Sequence, residues 1–329
     1  MKNQKYATKS TVEAGIMTCI ILILMLINIY MPIFSYVLKF ILPIPVTLLY
    51  LRHNSKVTFT ALAASGILIS LINNPLSGLT SAIMFGLTGI ALGYSIKREL
   101  SVPTTIMLLA LASLIGSVID FTVYITLISG TSVTKFMSEV VRTINESMNM
   151  SISFYEKMGM PSEQIKMFKS MIGIFTVDYM MKLIPSALLI SSVIFAFLSY
   201  IITRLILRKL GYNIKEMPKF SKMYIDIRFV TILAIILLIG IILIRLNITV
   251  GEYISISSEL MLLYAFLFDG IALVTYYLSN KLSLSKGVIV ALIVFTTVSQ
   301  LAIVYIILGV IDIIADFRKL DPNRIWKTS

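Results

Sequence analysis

Two polar side chains inside one long apolar stretch are the first residues of this sequence that could do chemistry. Asp120 lies in the stretch 102–128, and Tyr124 follows one helical turn later. A carboxylate at mid-depth in a membrane costs roughly 2.5–3.5 kcal/mol, so a wet cavity, a cationic partner or a ligand has to offset it. The pair could recognise a cation or a hydroxyl group, although placement near the water interface would also account for Asp120.

Four further polar residues could line the same site. Asp178 and Lys182 are spaced i,i+4, so they could pair on one face of a helix. Asn73 and Asn74 form a polar tip between two apolar stretches and offer amide contacts. Together with the first two residues, these are the candidate substrate-binding side chains.

Asp269 is a separate candidate because it lies centrally in its apolar stretch, beside Gly270. A central acidic residue in such a stretch indicates an intramembrane charge of possible function. Arg245, on the preceding stretch, is a possible partner for it.

Patterns typical of catalysis and metal binding are missing from the sequence. Cys19 is the one cysteine and His53 the one histidine, which argues against a disulfide framework, a cysteine-based metal site and a His-rich metal site. No G-x-x-x-x-G-K-[ST], H-E-x-x-H or G-x-S-x-G pattern occurs. We expect no enzyme activity, no metal and no cofactor, and no ATP hydrolysis by this chain itself.

The composition indicates a polytopic membrane protein. Hydrophobic residues make up 58% of the chain, charged residues only 13%, and the mean hydropathy is +0.94. The apolar stretches reach the ~20 residues that a membrane-spanning helix needs. The net charge of +12 would suit a nucleic-acid partner. We favour the other explanation, in which basic residues gather at the ends of the spans.

The stretches predict an all-α integral membrane bundle with eight or nine spans. Pro43 and Pro45 interrupt the second span, and Gly86, Gly89 and Gly93 share one face of the fourth, which predicts close helix approach and irregular backbone. The spans with limits legible in the sequence are 11–30, 34–51, 102–128, 175–207, 229–246, 260–278 and 288–311, and the remaining two flank Asn73–Asn74.

The segment 130–171 is too polar to span and predicts an amphipathic helical insert. Apolar residues recur at spacings of three and four from Val133 to Met148, and Gly159 to Ser162 break the pattern. This insert could cover the membrane bundle, close over a ligand as a lid, or lie on the membrane surface.

Basic residues fall at alternate loops, which places the amino terminus in the cytoplasm and both Asn73–Asn74 and the 130–171 insert outside. Nine spans would then put the basic tail outside, against the same rule. Either one apolar stretch is re-entrant or the tail is an exception.

Small residues near the basic end of the first span, Ala14, Gly15 and Thr18, predict a helix-packing face. Ordinary packing within the chain and docking of a partner helix are both compatible with them.

Three segments, LPIPVTLLYLRH, NNPLSGLTSAIMFGLTGIALGY and ILGVIDIIADFRKL, resemble the YybS-like family of bacterial membrane proteins. The resemblance covers nearly the whole chain, and the first six spans of that family are similar to S components of energy-coupling-factor transporters. It implies an S-component-like membrane domain over 1–210 that includes the 130–171 insert, a basic cytoplasmic connector over 211–228, and additional transmembrane helices and a tail over 229–329. Ala14-x-x-x-Thr18 is a degenerate match to the face on which S components dock a coupling subunit.

Two hypotheses of function follow. In the first, the chain is a small-solute binding or transport subunit in a bacterial cell membrane, with a transmembrane coupling subunit and ATPases as partners and a ligand that the sequence does not identify. In the second, it is a membrane scaffold or regulatory protein. Its connector lysines, Lys215, Lys219 and Lys222, would then dock a cytoplasmic partner or anionic lipid.

Overall fold

The computed structural model describes residues 2–53, 55–299 and 301–322, and every regular element in these ranges is a helix. Eight helices in the described part of the chain are long and apolar enough to cross a membrane. The predicted all-α, polytopic membrane bundle is therefore confirmed. The chain divides into two compact units, Met1–Met181 with Ala187–Glu216, and Lys182–Ser186 with Met217–Ser329.

The first unit contains six of the candidate spans and the polar insert. Its helices are α1 (Lys2–Tyr30), α2 (Pro32–Ile41), α3 (Pro43–Arg52), α4 (Ser55–Ile72), α5 (Pro75–Lys97), α6 (Val102–Val123), α7 (Val133–Lys157), α8 (Ser162–Ile172) and α9 (Val177–Lys209). The residues 182–186 of α9 group with the second unit. A π-helical turn, Tyr124–Ile128, extends α6.

Close helix packing at the prolines and glycines of the first unit is confirmed. The helix breaks at Leu42, so that Pro43 begins α3 at a position where its missing N–H costs nothing. A side chain at Gly89 would meet the side chain of Val46 and the carbonyl oxygen of Pro43. Thr47 Oγ1 donates to the Gly89 carbonyl oxygen across 3.0 Å. α3 and α5 therefore approach each other at the level of their backbones.

The insert forms a helical hairpin of α7 and α8, as its spacing predicts. Ser132 caps α7 by accepting from the Lys135 N–H at 3.2 Å. Gly159, with φ +78°, adopts the left-handed conformation after α7, where glycine costs least. Short segments join this helical hairpin to α6 and α9, so both of its ends lie at the same end of those two helices.

The second unit is built around one long helix. Its helices are α10 (Ile227–Arg245), α11 (Val250–Asn280), α12 (Lys286–Val298) and α13 (Ala302–Ala315), with a short 3-10 turn, Phe220–Lys222, before them. α11 begins ten residues before the predicted start at Leu260. Glu252 and Glu259 lower the hydropathy of its first turns, but the backbone remains helical through them.

Two glycines allow α11 and α13 to touch. A Cβ at Gly270 would overlap the carbonyl oxygen of Tyr305, and a Cβ at Gly309 would overlap that of Phe266. Small residues at such contacts let helix backbones approach in a membrane, where packing rather than the hydrophobic effect holds helices together. The pair Gly270 and Gly309 therefore fixes where the last helix lies on α11.

The last apolar stretch does not form one straight span. α12 and α13 have 13 and 14 residues, about 20 Å each, against a hydrocarbon core of about 30 Å. Their axes differ by 107°. After α13, Arg318 Nη1 donates to the Met223 carbonyl oxygen at 2.6 Å, in the segment that precedes α10.

This contact predicts the side to which the tail returns. α10 leaves the segment before it, and α11 packs against α10 and returns, since only a short loop joins them. The segment 281–285 is therefore on the side where α10 begins. The residues after α13 contact the same segment before α10. Of the two alternatives, a bent span and a re-entrant stretch, this contact favours the re-entrant one.

We expect the loop after α11 and the tail to share one side of the membrane. In a Cys19→Ser background, a membrane-impermeant maleimide should label Lys281→Cys and Pro322→Cys from the same side, and Thr249→Cys from the opposite side. Labelling of Pro322→Cys together with Thr249→Cys would show that the last stretch crosses the membrane.

The glycine contact gives a second prediction. Gly309→Ala should lower the free energy of unfolding by about 1–3 kcal/mol or more, because the new methyl group displaces α13 from α11. Thermal unfolding of the purified protein measures the effect. Gly287→Ala is the matched control, because a Cβ there meets no atom within 4 Å. Equal melting temperatures for the two variants would contradict the prediction.

Candidate functional site

Asn73 and Asn74 lie exposed in the turn between α4 and α5. The Asn74 side chain caps α5, accepting from the Leu76 N–H at 2.9 Å. Asn73 Nδ2 donates to Ser77 Oγ at 3.3 Å. Asn74 thus has a structural role as a helix cap, and Asn73 keeps most of its amide exposed.

Asp120 and Tyr124 occupy the end of α6 nearest the helical hairpin. Asp120 is half-buried, and no described residue forms a hydrogen bond or ion pair with its carboxylate. The Tyr124 ring is exposed and packs edge-on against Phe136 of α7, with ring centroids 6.2 Å apart. In the described chain no hydrogen bond, ion pair or ring contact joins this pair to the asparagines at the α4–α5 turn.

Asp178 and Lys182 lie in the first turns of α9 with different surroundings. Asp178 is exposed, whereas Lys182 is buried. Lys182 Nζ forms an ion pair with Glu252 of α11, and both residues belong to the second unit. A lysine held in this way balances a carboxylate of its own chain.

The small residues of α1 have two different neighbours. Thr18 is buried, and its hydroxyl lies 3.5 Å from the Ala61 carbonyl oxygen of α4, while also bonding to Ala14 at 2.9 Å. Gly15 is exposed, and a Cβ there would meet nothing within 4 Å. Thr18 therefore packs within the chain, and Gly15 presents an open face.

A small cavity with both polar and apolar lining residues lies at the opposite end of the first unit from the helical hairpin. It encloses about 140 Å³ where α5 ends and α6 begins, and it is lined in part by Glu99, Thr105, Tyr200 and Lys215. Tyr200 donates its hydroxyl to the Lys215 carbonyl oxygen at 2.8 Å, and Lys215 Nζ donates to the Glu99 carbonyl oxygen. The segment after α9 forms one wall of this cavity.

The most buried charges of the described chain form a network in the second unit, which we call the Arg318 cluster: Arg318, Asp269 and Asp312. Arg318 Nη2 donates to Asp269 Oδ1, and Arg318 Nε donates to Asp312 Oδ2, both at 2.8 Å. All three side chains are at most 3% exposed. The partner of Asp269 is thus Arg318, whereas Arg245 lies exposed at the end of α10.

Backbone groups complete the Arg318 cluster. Asp269 Oδ1 also accepts from the Ile225 N–H at 3.1 Å, and Asp312 Oδ1 accepts from the Phe317 N–H at 3.0 Å. Nearby, the Asp321 carboxylate accepts from the Ile227 N–H at 3.2 Å. The tail and the segment before α10 are therefore held together by polar contacts around one arginine.

Arg318 and Asp312 were not among the site residues predicted from the sequence. The signal was present, because Asp312, Asp316 and Arg318 form a D-x-x-x-D-x-R pattern at the end of an apolar stretch. The i,i+4 spacing places both acids on one helical face. Asp316, with φ +45°, ends that helix and accepts from the Leu320 N–H at 2.8 Å.

The described residues contain no group of three His, Cys, Asp or Glu side chains arranged to hold a metal ion. The Arg318 cluster has two carboxylates and one guanidinium, so its observed chemistry is that of charge pairing. The helical hairpin end of the first unit offers one half-buried carboxylate beside an exposed phenol.

Long apolar helices and a buried ionic network define a polytopic integral membrane protein. The model of a family described as predicted membrane protein (DUF2232) matches residues 19–313, and the chain belongs to this family. The uncharacterized protein YybS of Bacillus subtilis (strain 168) is 25% identical over 311 residues, which are 93% of this chain and 96% of that protein. No solved structure matches the chain.

Removing the arginine tests the network directly. Arg318→Met should cost about 3–5 kcal/mol of stability, because it leaves two buried carboxylates without their shared cation. The melting temperature of the purified protein should fall sharply. Arg245→Met removes an exposed arginine and is the control. Similar melting temperatures for both variants would show that the ionic network contributes little.

Proposed function

We propose that this protein is a membrane subunit that binds a small solute, with its first six spans working in the manner of an S component of an energy-coupling-factor transporter. The observation that carries the proposal is the end of α6. There Asp120 is a half-buried carboxylate with no protein partner among the described residues, and Tyr124, one turn on, contacts the helical hairpin. An intramembrane carboxylate of this kind needs compensation, which a bound solute supplies.

The residues have separate roles in this proposal. Asp120 accepts from a cationic or hydroxyl group of the solute. Tyr124 links the site to the helical hairpin through Phe136, so that movement of α7 changes its position. Asn73 supplies an exposed amide from the α4–α5 turn, while Asn74 stabilises that turn.

The remaining candidates have supporting roles. Asp178 contributes from the exposed first turn of α9. Lys182 stabilises its surroundings through Glu252.

Transport by such a subunit requires partners. The chain has no P-loop, so ATPases and a transmembrane coupling subunit would supply the energy. Gly15 is the part of the predicted docking face that is open for a partner helix, because Thr18 is already packed on α4. The basic loops place the amino terminus on the cytoplasmic side in this proposal.

The exposed lysines before α10 favour a second candidate function, that of a scaffold or regulator. Lys219 and Lys222 are exposed, whereas Lys215 is bonded to the Glu99 carbonyl oxygen. Two free basic side chains beside a membrane attract anionic lipid or an acidic partner. The solute-binding role is preferred because Asp120 lies within a span, where an uncompensated charge is costly.

Native mass spectrometry of the full chain tests the first proposal. The wild type should retain a small molecule, and Asp120→Asn should retain at least about tenfold less, the loss of one charge-assisted hydrogen bond of roughly 1.5–3 kcal/mol. Glu146→Gln, on the exposed face of α7, is the matched control and should retain it.

The outcomes separate the two functions. No retained small molecule and no copurifying ATPase in the wild type would overturn the solute-binding proposal. Lys219→Glu with Lys222→Glu should leave the retained molecule unchanged. Loss of bound anionic lipid in that double variant, with no solute in any variant, would favour the scaffold.

A further inference from the structure

The Arg318 cluster carries an imbalance of charge. Two carboxylates, those of Asp269 and Asp312, pair with one guanidinium, and all three side chains are at most 3% exposed. No other cationic side chain of the described residues forms an ion pair with either carboxylate. With both acids ionised, the cluster would hold a net negative charge away from water, which is costly without compensation.

One carboxylate oxygen shows where the excess negative charge of the cluster has no hydrogen-bond donor. Asp269 Oδ1 accepts two hydrogen bonds, from Arg318 and from the Ile225 N–H. Asp269 Oδ2 is buried and receives none from the described residues. Arg318 Nη2 and Nε are neighbouring donors on one edge of the guanidinium, so the carboxyl groups of Asp269 and Asp312 that they hold lie side by side. Two carboxyl groups thus meet at a point where no donor is present.

The neighbouring elements do not provide a cation for this point. Burial, and then the negative charges of Asp321, Asp226 and Asp316, raise the pKa of the Tyr224 phenol, so the surroundings are negative. Lys222 and Arg228 are exposed and form no ion pair with the cluster. The charged and titratable side chains of the segment before α10, of the start of α10 and of the tail are Lys219, Lys222, Tyr224, Asp226, Arg228, Asp316, Lys319 and Asp321, and α13 adds Tyr305.

We infer that Asp269 and Asp312 form a proton-binding site that holds one proton between their two carboxyl groups. The proton resides on Asp269 Oδ2, and this O–H donates to a carboxylate oxygen of Asp312. Arg318 then balances the one remaining negative charge. Every buried polar atom of the Arg318 cluster has a partner in this state, and two carboxylates placed this close do not both ionise.

The bound proton stabilises the contact between the tail and the segment before α10. Its release leaves two adjacent carboxylates that repel each other, and both of them bind Arg318, which holds the Met223 carbonyl oxygen. The folded chain binds a proton that the unfolded chain releases near neutral pH. Stability therefore falls as the pH rises through the range in which the folded site loses its proton.

Infrared difference spectroscopy of the full-length wild type in detergent tests the inference without a variant. The wild type should show the carbonyl stretch of a protonated carboxylic acid, and titration with base should remove this band. Because the site is buried, the acid proton should exchange only slowly with deuterium. Asp269→Asn should lack this band, because its amide can donate to Asp312 in place of the proton. Asp226→Asn is the matched control, since asparagine caps α10 as well as aspartate does, and it should keep the band.

The thermal unfolding of the same proteins is the second measurement. The wild-type melting temperature should fall as the pH rises, and that of Asp269→Asn should lose this dependence. A wild type with no protonated carboxyl band at any pH at which it is folded would overturn the inference. A band that persists in both Asp269→Asn and Asp312→Asn would also overturn it. A wild type whose stability depends on Na⁺ or K⁺ and which shows no such band would indicate that a metal cation, and not a proton, occupies the site.

Discussion

A charge buried among packed helices has no water around it to satisfy it, and this constraint organises the second unit around Arg318. A guanidinium presents donors in a fixed planar fork. Here they reach two carboxylates and the carbonyl oxygens of Ser221 and Met223. Because these acceptors come from three separate parts of the chain, one side chain fixes the position of the tail, α11 and the segment before α10.

The first unit satisfies its polar groups in another way. Its buried hydroxyls bond mostly to carbonyl oxygens one turn earlier in their own helices, as Ser65 does to Ala61 at 2.7 Å and Ser95 to Ala91 at 2.8 Å. Such bonds need no partner helix, so α4 and α5 can pack through small residues without a shared polar network. The half-buried carboxylate of Asp120 has no such partner among the described residues, and the proposed function rests on it.

The sequence predicts what depends on local pattern. Hydropathy and helical spacing predict the spans and the amphipathic insert, and the prolines predict the break at Leu42. The start of α11 is missed because packing keeps its polar first turns helical. Arg318 as the partner of Asp269 is missed because 49 residues separate them, and only the fold of the last apolar stretch brings them together.

The candidate site residues also show that local sequence pattern does not predict contacts between distant parts of the chain. Spacing places Asp120 and Tyr124 on neighbouring turns correctly, but it does not show that Asn74 is used as a cap or that Lys182 is paired with Glu252. Those roles depend on which backbone groups and side chains lie nearby in space. The type of a residue and its position in the chain limit the roles it can have. Its contacts in the folded structure determine which of these roles it takes.

The π-helical turn from Tyr124 to Ile128 has a consequence for the helical hairpin that follows it. The Ser129 N–H bonds to the Tyr124 carbonyl oxygen at 2.8 Å, so this turn contains one residue more than an α-helical turn. One extra residue rotates everything after it by about 100° around the helix axis. The direction around the α6 axis in which the chain continues into α7 thus depends on one inserted residue. Deletion of that residue would rotate the helical hairpin toward a different side of α6.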